Sequence, residues 1–284
     1  MTASAPATWF VTGTSRGLGL ELVKQLLDRG DNIAATTRNA ERLHAGLAGH
    51  DTGRLLALTV DLADEAQVRN AVRDTLDRFD AVDVLVNNAG YGYLAAIEEV
   101  SDSAARQMFD IQVFGVWNVL RAVLPHLRAR RRGHIVNISS ILGLTTMPGW
   151  GLYSAGKFAL EAMSEALAAE VADSGIRVTL VEPGYFRTDF LTTDSLALPA
   201  ATTDGYETIR DTTRDHLALQ GTQLGDPVRG IRAILELVDR GDGPLRQVLG
   251  SDAQAFASAK VESLRADLET GKDLASSTDF PRAA

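Results

Sequence analysis

The chain contains 284 residues, 45% of them hydrophobic, which suffices for one α/β domain with a sizeable core, although two small domains also fit this length. A net charge of −9 argues against nucleic acid or an anionic membrane surface as the main partner, and the absence of cysteine excludes disulfides, thiolate metal sites and cysteine nucleophiles. Residues 1–8 lack the features of a signal peptide, no apolar stretch approaches the ~20 residues that span a bilayer, and the histidines show no metal-ligand spacing. We therefore expect a cytoplasmic protein without a metal site.

Short apolar runs alternate with segments of helical periodicity along the chain. The predicted strands are 9–12, 33–37, 55–60, 82–86, 135–138, 176–181 and 247–249. The predicted helices are 20–29, 68–79, 103–130, 153–173 and 251–272. Strands separated by helices of this length pair in parallel through right-handed crossovers. The sequence therefore predicts an α/β, doubly wound Rossmann-type sheet, mostly parallel and seven-stranded, with helices on both faces, in a single domain over 1–284.

A glycine-rich turn between Gly13 and Gly19 follows the first strand and opens the first helix. Its spacing, G-x-x-x-G-x-G, differs from the commoner G-x-G-x-x-G. Glycines permit a tight turn and close approach of a phosphate, and a helix N-terminus stabilises negative charge. The turn therefore predicts a nucleotide site with the candidate residues Gly13, Ser15, Arg16, Gly17, Leu18 and Gly19.

Two further strand ends carry small or polar residues. Asp61 and Leu62 follow the third strand, where a carboxylate could accept a hydrogen bond from an adenine amine. The fourth strand leads into Asn88, Ala89 and Gly90, where the backbone must pass close to another group. Because ligands of doubly wound sheets bind at the carboxyl ends of the strands, these segments mark the same cleft as the glycine-rich turn.

Tyr153 and Lys157 form the most informative pair in the chain. Their i, i+4 spacing on a helix puts both side chains on one face. A neighbouring ammonium favours the phenolate, so we expect the pKa of Tyr153 to lie below its ordinary ~10. Ser140, at the end of the fifth strand, could hydrogen-bond the same oxygen that the phenol serves. The three residues predict a proton-transfer site.

In this order and with these intervals, the motifs resemble the short-chain dehydrogenase/reductase family, in the compact single-domain branch of hydroxysteroid and retinol dehydrogenases. The resemblance spans residues 9–250. It implies that Tyr153 is the general acid/base, that Ser140 orients the substrate carbonyl, and that Lys157 lowers the phenol's pKa and holds the nicotinamide ribose. It also implies hydride transfer from a nicotinamide to a carbonyl carbon. The further cofactor residues it implies are Pro183, Gly184, Phe186 and Thr188.

The end of the second strand bears on the choice of cofactor. An acidic residue at this place binds the adenosine ribose of NAD and repels a 2′-phosphate. The sequence has no carboxylate there and instead offers Arg38, with Arg16 nearby in the glycine-rich turn. This pattern favours NADP(H).

Two residues in the cleft region need interpretation. Gln112 occupies the place where the family usually has an asparagine, whose role is to hold the helix backbone open for a water that links the lysine to solvent. A glutamine keeps the amide but sets it one methylene further out, so the relay is either supported or weakened. Glu182 precedes Pro183 and could serve as a pocket acid, but we interpret it as a structural partner.

Aromatic and apolar residues on the strand-end loops predict a pocket for a bulky carbonyl compound or secondary alcohol. The candidate substrate residues are Tyr91, Leu142, Trp150 and Tyr185. Residues 185–225 are the expected substrate-loop region, with 191–205 the likeliest mobile segment, and 251–284 the expected C-terminal helical extension. Family resemblance alone implies a homodimer or homotetramer. The alternatives to a reductase or alcohol dehydrogenase are a non-redox enzyme on the same fold (dehydratase, isomerase or cyclase) and a non-catalytic NADP(H)-binding sensor.

Overall fold

The computed structural model describes residues 6–280, so the predictions for residues 1–8 and for the 251–284 extension lie partly outside the described residues. The strands are β1 Thr8–Thr12, β2 Asn32–Thr37, β3 Leu55–Thr59, β4 Val84–Asn87, β5 Gly92–Tyr93, β6 Gly133–Ile138, β7 Ile176–Pro183, β8 Leu196–Ala197 and β9 Arg246–Leu249. Seven of them form one parallel sheet in the order β3-β2-β1-β4-β6-β7-β9. The predicted doubly wound sheet is confirmed, with strand bounds within about two residues of those expected.

Helices cover both faces of the sheet because the central strands are apolar on both sides. Phe10 of β1 packs into one buried cluster together with Val119, whereas Trp9 and Val11 pack into another together with Leu22. The helices are α1 Gly17–Arg29, α2 Ala40–Gly46, α3 Glu65–Phe79, α4 Asp102–Phe109, α5 Gly115–Arg130, α6 Gly151–Glu170, α7 Glu207–Ala218, α8 Pro227–Arg240, α9 Ser251–Thr270 and α10 Lys272–Ser276.

The start of α1 differs from that of α3 in having no side-chain cap. α3 begins after Asp64, whose carboxylate accepts hydrogen bonds from the backbone N–H groups of Ala66 and Gln67 at 2.9 and 3.1 Å. α1 begins after Arg16, which makes no such side-chain bond, so the first N–H groups of α1 have no side-chain cap. α1 ends where predicted, at Gly30, which adopts a left-handed conformation with φ 82°.

The long fourth helix predicted over 103–130 is interrupted. α4 ends at Phe109, a wide π-helical turn spans Asp110–Phe114, and α5 starts at Gly115. The one extra residue of a π-helical turn changes the apolar periodicity of so long a segment only slightly. The sequence pattern therefore does not reveal this turn. The buried side chain of Gln112 lies at the centre of this turn.

The segment between β7 and α8 folds over the carboxyl edge of the sheet. Its β8 pairs in parallel with β5, with Leu196 opposite Gly92, so part of the segment expected to be mobile has a defined partner. α7 follows. Beyond the sheet, α9 buries only Ala253 and Ala257. Among residues 6–280, no helix combines the length and apolar character required to cross a membrane.

Candidate active site

A cavity of about 390 Å³ opens along the carboxyl ends of the strands. The predicted residues that line it are Gly13, Ser15, Arg16, Gly17, Leu18, Arg38, Asp61, Leu62, Asn88, Ala89, Gly90, Tyr91, Ser140, Leu142, Trp150, Tyr153, Lys157, Pro183, Gly184, Tyr185, Phe186 and Thr188. Gly19 and Gln112 lie outside this lining. The cavity thus collects residues from the end of nearly every strand, as expected for a doubly wound sheet.

Ser140, Tyr153 and Lys157 come together at the centre of the cavity and are nearly buried. Tyr153 and Lys157 lie in the first two turns of α6, and the Lys157 Nζ is 5.7 Å from the centre of the Tyr153 ring. That Nζ donates to the carbonyl oxygen of Ile138 at 2.9 Å. The Ser140 hydroxyl, just after β6, accepts a hydrogen bond from the Leu142 N–H at 3.1 Å. The i, i+4 arrangement predicted for α6 is therefore present.

The expected lowering of the Tyr153 pKa is wrong in this structure. Burial, which disfavours the phenolate, raises the pKa of Tyr153 to about 12, and hydrogen bonding to Ser140 opposes the increase. Burial likewise disfavours the ammonium and lowers the pKa of Lys157 to about 8, with Glu161 acting in the opposite direction. The Lys157 ammonium lies over the Tyr153 ring and donates to the Ile138 carbonyl oxygen. Burial is therefore the main cause that sets the pKa of the Tyr153 phenol.

The glycines of the first turn serve different purposes. Gly13 has φ 72°, and a Cβ there would lie 2.7 Å from the Ala89 Cα. A Cβ on Gly19 would lie 2.2 Å from the Gly13 carbonyl oxygen, so both positions are closed by the protein itself. A Cβ on Gly17, which has φ 57°, would meet only the Thr188 Cβ at 3.8 Å. The open space is thus beside Gly17, at the uncapped start of α1, which fits a phosphate group.

Asn88 holds this turn in place. Its side-chain N–H₂ donates to the carbonyl oxygens of Thr12 and Gly13 at 3.0 and 2.9 Å. The Thr12 hydroxyl accepts from the backbone N–H groups of Asn88 and Ala89 in return. The small, polar stretch after β4 therefore joins two neighbouring strand ends, in addition to lining the cavity.

Three arginines surround the end of β2. Arg16 is half-buried, and its pKa is lowered by burial and then by the positive charge of Arg42, with Arg38 contributing as well. Arg42 is a residue that sequence reasoning missed. Its guanidinium pairs with Asp194 at 2.9 Å and with Asp189 at 3.9 Å, both from the segment after β7. It follows Arg38 by four residues in the sequence, but this spacing alone does not show that its side chain reaches the end of β2.

Gln112 lies behind the Tyr153–Lys157 pair. Its side-chain N–H₂ donates to the Tyr91 carbonyl oxygen at 2.7 Å, and its Oε1 is buried without a partner among residues 6–280. A Cβ built on Gly90 would lie 3.7 Å from the Lys157 Nζ and 3.8 Å from the Gln112 Cδ. The amide and the ammonium therefore flank the same glycine.

The part of the cavity next to Tyr153 is aromatic. The Trp150 ring contacts the Tyr153 ring edge-on, with centroids 5.5 Å apart, and stacks with Phe190 at 6.4 Å. The Tyr185 hydroxyl lies 2.7 Å from the Nε2 of His216, on α7. Sequence reasoning gave His216 no role, because a lone histidine in a helix carries no signal of its neighbours.

Glu182 does not line the cavity, in accord with its interpretation as a structural partner. It is fully buried on β7 beside Glu161 of α6, and Arg246 lies 3.1 Å from a Glu161 oxygen and 3.7 Å from a Glu182 oxygen. Burial, followed by the nearby Glu161, raises the pKa of Glu182 to about 8. The two acids form a buried cluster, and neither belongs to the cavity lining.

A parallel doubly wound sheet with a glycine-rich first turn and a cleft along its carboxyl edge defines an α/β nucleotide-binding protein. A family model described as short chain dehydrogenase matches residues 7–197, and the chain belongs to the short-chain dehydrogenase/reductase family of oxidoreductases. The predicted family is confirmed.

Similar proteins agree with this assignment. An oxidoreductase of Botryotinia fuckeliana, BOA17, is 34% identical over 94% of this chain and 97% of that protein. A crystal structure of a short-chain dehydrogenase from Streptomyces avermitilis is 36% identical and superposes with a TM-score of 0.90 over 97% of this chain and all of that chain. A Burkholderia cenocepacia short-chain dehydrogenase solved with NADP is 27% identical (TM-score 0.72; 93% and 97% covered). A Brucella melitensis 3-ketoacyl-(acyl-carrier-protein) reductase solved with NADH is 25% identical (TM-score 0.70; 85% and 95% covered).

Proposed function

We propose that this protein is an NADP(H)-dependent oxidoreductase that interconverts a ketone or aldehyde and the corresponding alcohol, with an apolar or aromatic substrate. The observation that carries the proposal is the convergence of Ser140, Tyr153 and Lys157 in the cavity that also contains the glycine-rich turn. The aromatic lining around Trp150 supports a substrate of this kind.

The chain's own residues supply the proton chemistry. When bound, NADPH would provide the hydride for the carbonyl carbon. Tyr153 would donate a proton to the carbonyl oxygen, and its pKa of about 12 keeps the phenol protonated at neutral pH, which favours reduction. Ser140 would donate a hydrogen bond to the same oxygen. Lys157, with a pKa of about 8, is suited to return a proton near neutral pH. The Oε1 of Gln112, which has no partner among residues 6–280, would accept a hydrogen bond from a water that links Lys157 to solvent.

The preference for NADP(H) over NAD(H) follows from charge. Arg16, Arg38 and Arg42 cluster at the end of β2, and no carboxylate follows that strand directly. A phosphate on the adenosine ribose would meet guanidinium groups, which bind phosphate through charge-assisted hydrogen bonds. Arg42 would exchange its contacts with Asp194 and Asp189, which are exposed ion pairs of small net energy.

Steady-state kinetics with both cofactors test this proposal. We expect kcat/KM for NADPH to exceed that for NADH by ~100-fold or more, and Arg38→Ala to reduce this ratio ~10-fold. The matched control is Arg54→Ala. Arg54 directly precedes β3 and lies at the amino ends of the strands, whereas the cavity lies at their carboxyl ends, so this variant should leave the ratio unchanged. A wild-type protein that prefers NADH would refute the cofactor proposal.

A substrate panel tests the reaction itself. Aryl ketones and steroid-like ketones are mixed with the protein and NADPH, and the loss of NADPH absorbance is followed. Consumption of at least one ketone is expected. Tight binding of NADPH without oxidation by any substrate would instead favour the sensor alternative, and conversion of a substrate without NADPH consumption would favour non-redox chemistry.

Exposed aromatic residues of the π-helical turn, α5 and α6 support the proposed homo-oligomer. Phe114, Trp117 and Phe158 are 54%, 49% and 42% exposed on neighbouring segments. Large aromatic side chains that remain in contact with water commonly mark an interface. We propose that a second copy of the chain covers them.

A further inference from the structure

Tyr185 and His216 form a hydrogen-bonded pair at the end of the cavity away from the glycine-rich turn. Tyr185 lies two residues after the end of β7 and is anchored by its backbone: its N–H donates to Asp252 at 2.7 Å, and its carbonyl accepts from the Gly225 N–H at 2.8 Å. Its hydroxyl lies 2.7 Å from the His216 Nε2, and the next polar atom is the Met147 sulfur at 3.8 Å. The phenol lines the cavity, whereas the buried imidazole lies behind it.

The second ring nitrogen of His216 fixes the direction of this hydrogen bond. Its Nδ1 lies 2.7 Å from the backbone carbonyl oxygen of Thr212, one turn earlier in α7. A carbonyl oxygen only accepts, so Nδ1 carries the hydrogen. In the neutral imidazole the Nε2 is then an acceptor, and Tyr185 donates its hydroxyl proton to it. The lone pairs of the Tyr185 oxygen are left as the groups available to a molecule in the cavity.

The indole of Trp150 contacts both the proposed acid and the histidine. The Trp150 ring centre lies 5.5 Å from that of Tyr153 and 5.3 Å from that of His216. Tyr153, Trp150 and Tyr185 all line the cavity, so a ligand that reaches both phenols passes along an apolar, aromatic surface.

We infer that Tyr185, held by His216, is a specificity-determining acceptor for a hydroxyl group on the substrate, at the end remote from the reacting carbonyl. The inference rests on the proposed function and narrows its substrate class to hydroxy-ketones or hydroxy-aldehydes with an apolar spacer. His216 is a positioning residue, because it acts by directing the Tyr185 proton away from the cavity. A ligand oxygen without a hydrogen would face the Tyr185 oxygen as a second acceptor. The two oxygens then form no hydrogen bond, which weakens binding.

Matched pairs of ketones test this inference. The first pair is para-hydroxyacetophenone and para-methoxyacetophenone, and the second is the corresponding hydroxy- and methoxy-acetylnaphthalene, which extends the spacer by one ring. For each pair the ratio of kcat/KM, hydroxyl over methoxy, is measured with NADPH. We expect a ratio of ~10 or more in the wild type for one of the two spacers. Tyr185→Phe should bring that ratio to ~1, because the acceptor oxygen is removed.

His216→Leu gives the result that a merely structural role would not give. Without the imidazole, the Tyr185 hydroxyl can donate into the cavity, so the preference should shift toward the methoxy ketone and the ratio should fall below that of Tyr185→Phe. His44→Leu, at an exposed histidine of α2, is the control and should keep the wild-type ratio. NADPH affinity reports whether each variant is folded. If His216→Leu does not fold, Tyr185→Phe, which removes one oxygen atom, decides alone.

The outcomes separate this inference from the proposed function. A wild-type ratio of ~1 for both spacers, or a ratio unaltered in Tyr185→Phe, overturns the acceptor role while leaving the reductase intact. If no ketone is turned over, the reductase proposal fails. The same pairs are then compared by calorimetric titration of the protein–NADP⁺ complex, where a ~10-fold tighter Kd for the hydroxyl compound, lost in Tyr185→Phe, still supports the acceptor and equal affinities overturn it.

Discussion

Replacing Glu182 by glutamine should stabilise the protein at mildly alkaline pH and change its stability little at acidic pH. Glu182 is completely buried, and neither of its carboxylate oxygens has a hydrogen-bond donor among residues 6–280. Arg246 lies 3.7 Å away but is already bonded to Glu161 and Glu165, at 3.1 and 2.6 Å. A buried carboxyl without donors is more stable protonated, and the neighbouring Glu161 oxygen provides an acceptor for that proton.

The sign and size of the effect follow from proton linkage. Burial first, and Glu161 second, raise the folded-state pKa of Glu182 from the ordinary 4.5 to about 8. Between these two values the native state retains a proton that the unfolded chain has lost, so stability decreases as the pH rises through this interval. At 1.36 kcal/mol per pH unit the full interval corresponds to ~5 kcal/mol. Glu182 and Glu161 form a pair that shares a proton, and the positive charge of Arg246 is near. We therefore expect a smaller contribution to the unfolding free energy, ~2–4 kcal/mol.

Urea unfolding at about pH 5 and at about pH 8.5 measures this effect. The difference in unfolding free energy between the pH values should shrink by ~2–4 kcal/mol in Glu182→Gln, mainly through a gain at the higher pH. Glu165→Gln is the matched control, because Glu165 also contacts Arg246 but is 63% exposed and should behave like the wild type. Equal pH dependence in wild type and Glu182→Gln would refute the assignment of a protonated buried acid.

Three further predictions concern the site and the assembly. Tyr153→Phe should lower kcat by ~100-fold or more with little change in the Kd for NADPH, and loss of NADPH binding alone would contradict its role as the acid. Gln112→Leu should lower kcat and cost ~1–3 kcal/mol in urea unfolding, because the Tyr91 carbonyl loses its donor, whereas Gln112→Asn should keep more of the turnover. A kcat in Gln112→Leu equal to that of the wild type would exclude Gln112 from proton supply. Trp117→Glu should reduce the mass measured by light scattering, and a monomeric wild type would refute the proposed interface.

The sequence predicts the sheet and the line of the cleft because both depend on local patterns. Apolar runs of four to eight residues are buried strands in a parallel sheet, and the residues that follow them necessarily meet at one edge. Gly13, Asn88, Ser140 and Tyr153 therefore line one cavity although long stretches of chain separate them.

Local patterns were insufficient where a property depends on the environment. The i, i+4 spacing of Tyr153 and Lys157 gives their proximity but not their burial, and burial raises the pKa of Tyr153 instead of lowering it. The π-helical turn at Gln112 leaves the apolar periodicity of the predicted helix almost unchanged. Arg42 can be assigned to the phosphate end only once α2 is packed beside the segment after β7.

The family, the doubly wound sheet and the order of the motifs along the cleft can be derived from the amino-acid sequence, since strand periodicity, glycine turns and side-chain chemistry are properties of short segments. Which groups are charged and which hydrogen bonds are available depends on the tertiary structure. The phenol of Tyr153, the acid of Glu182 and the Tyr185–His216 pair are each defined by residues brought from distant parts of the chain. Desolvation and hydrogen-bond direction depend on those neighbours in space, and no sequence spacing encodes them.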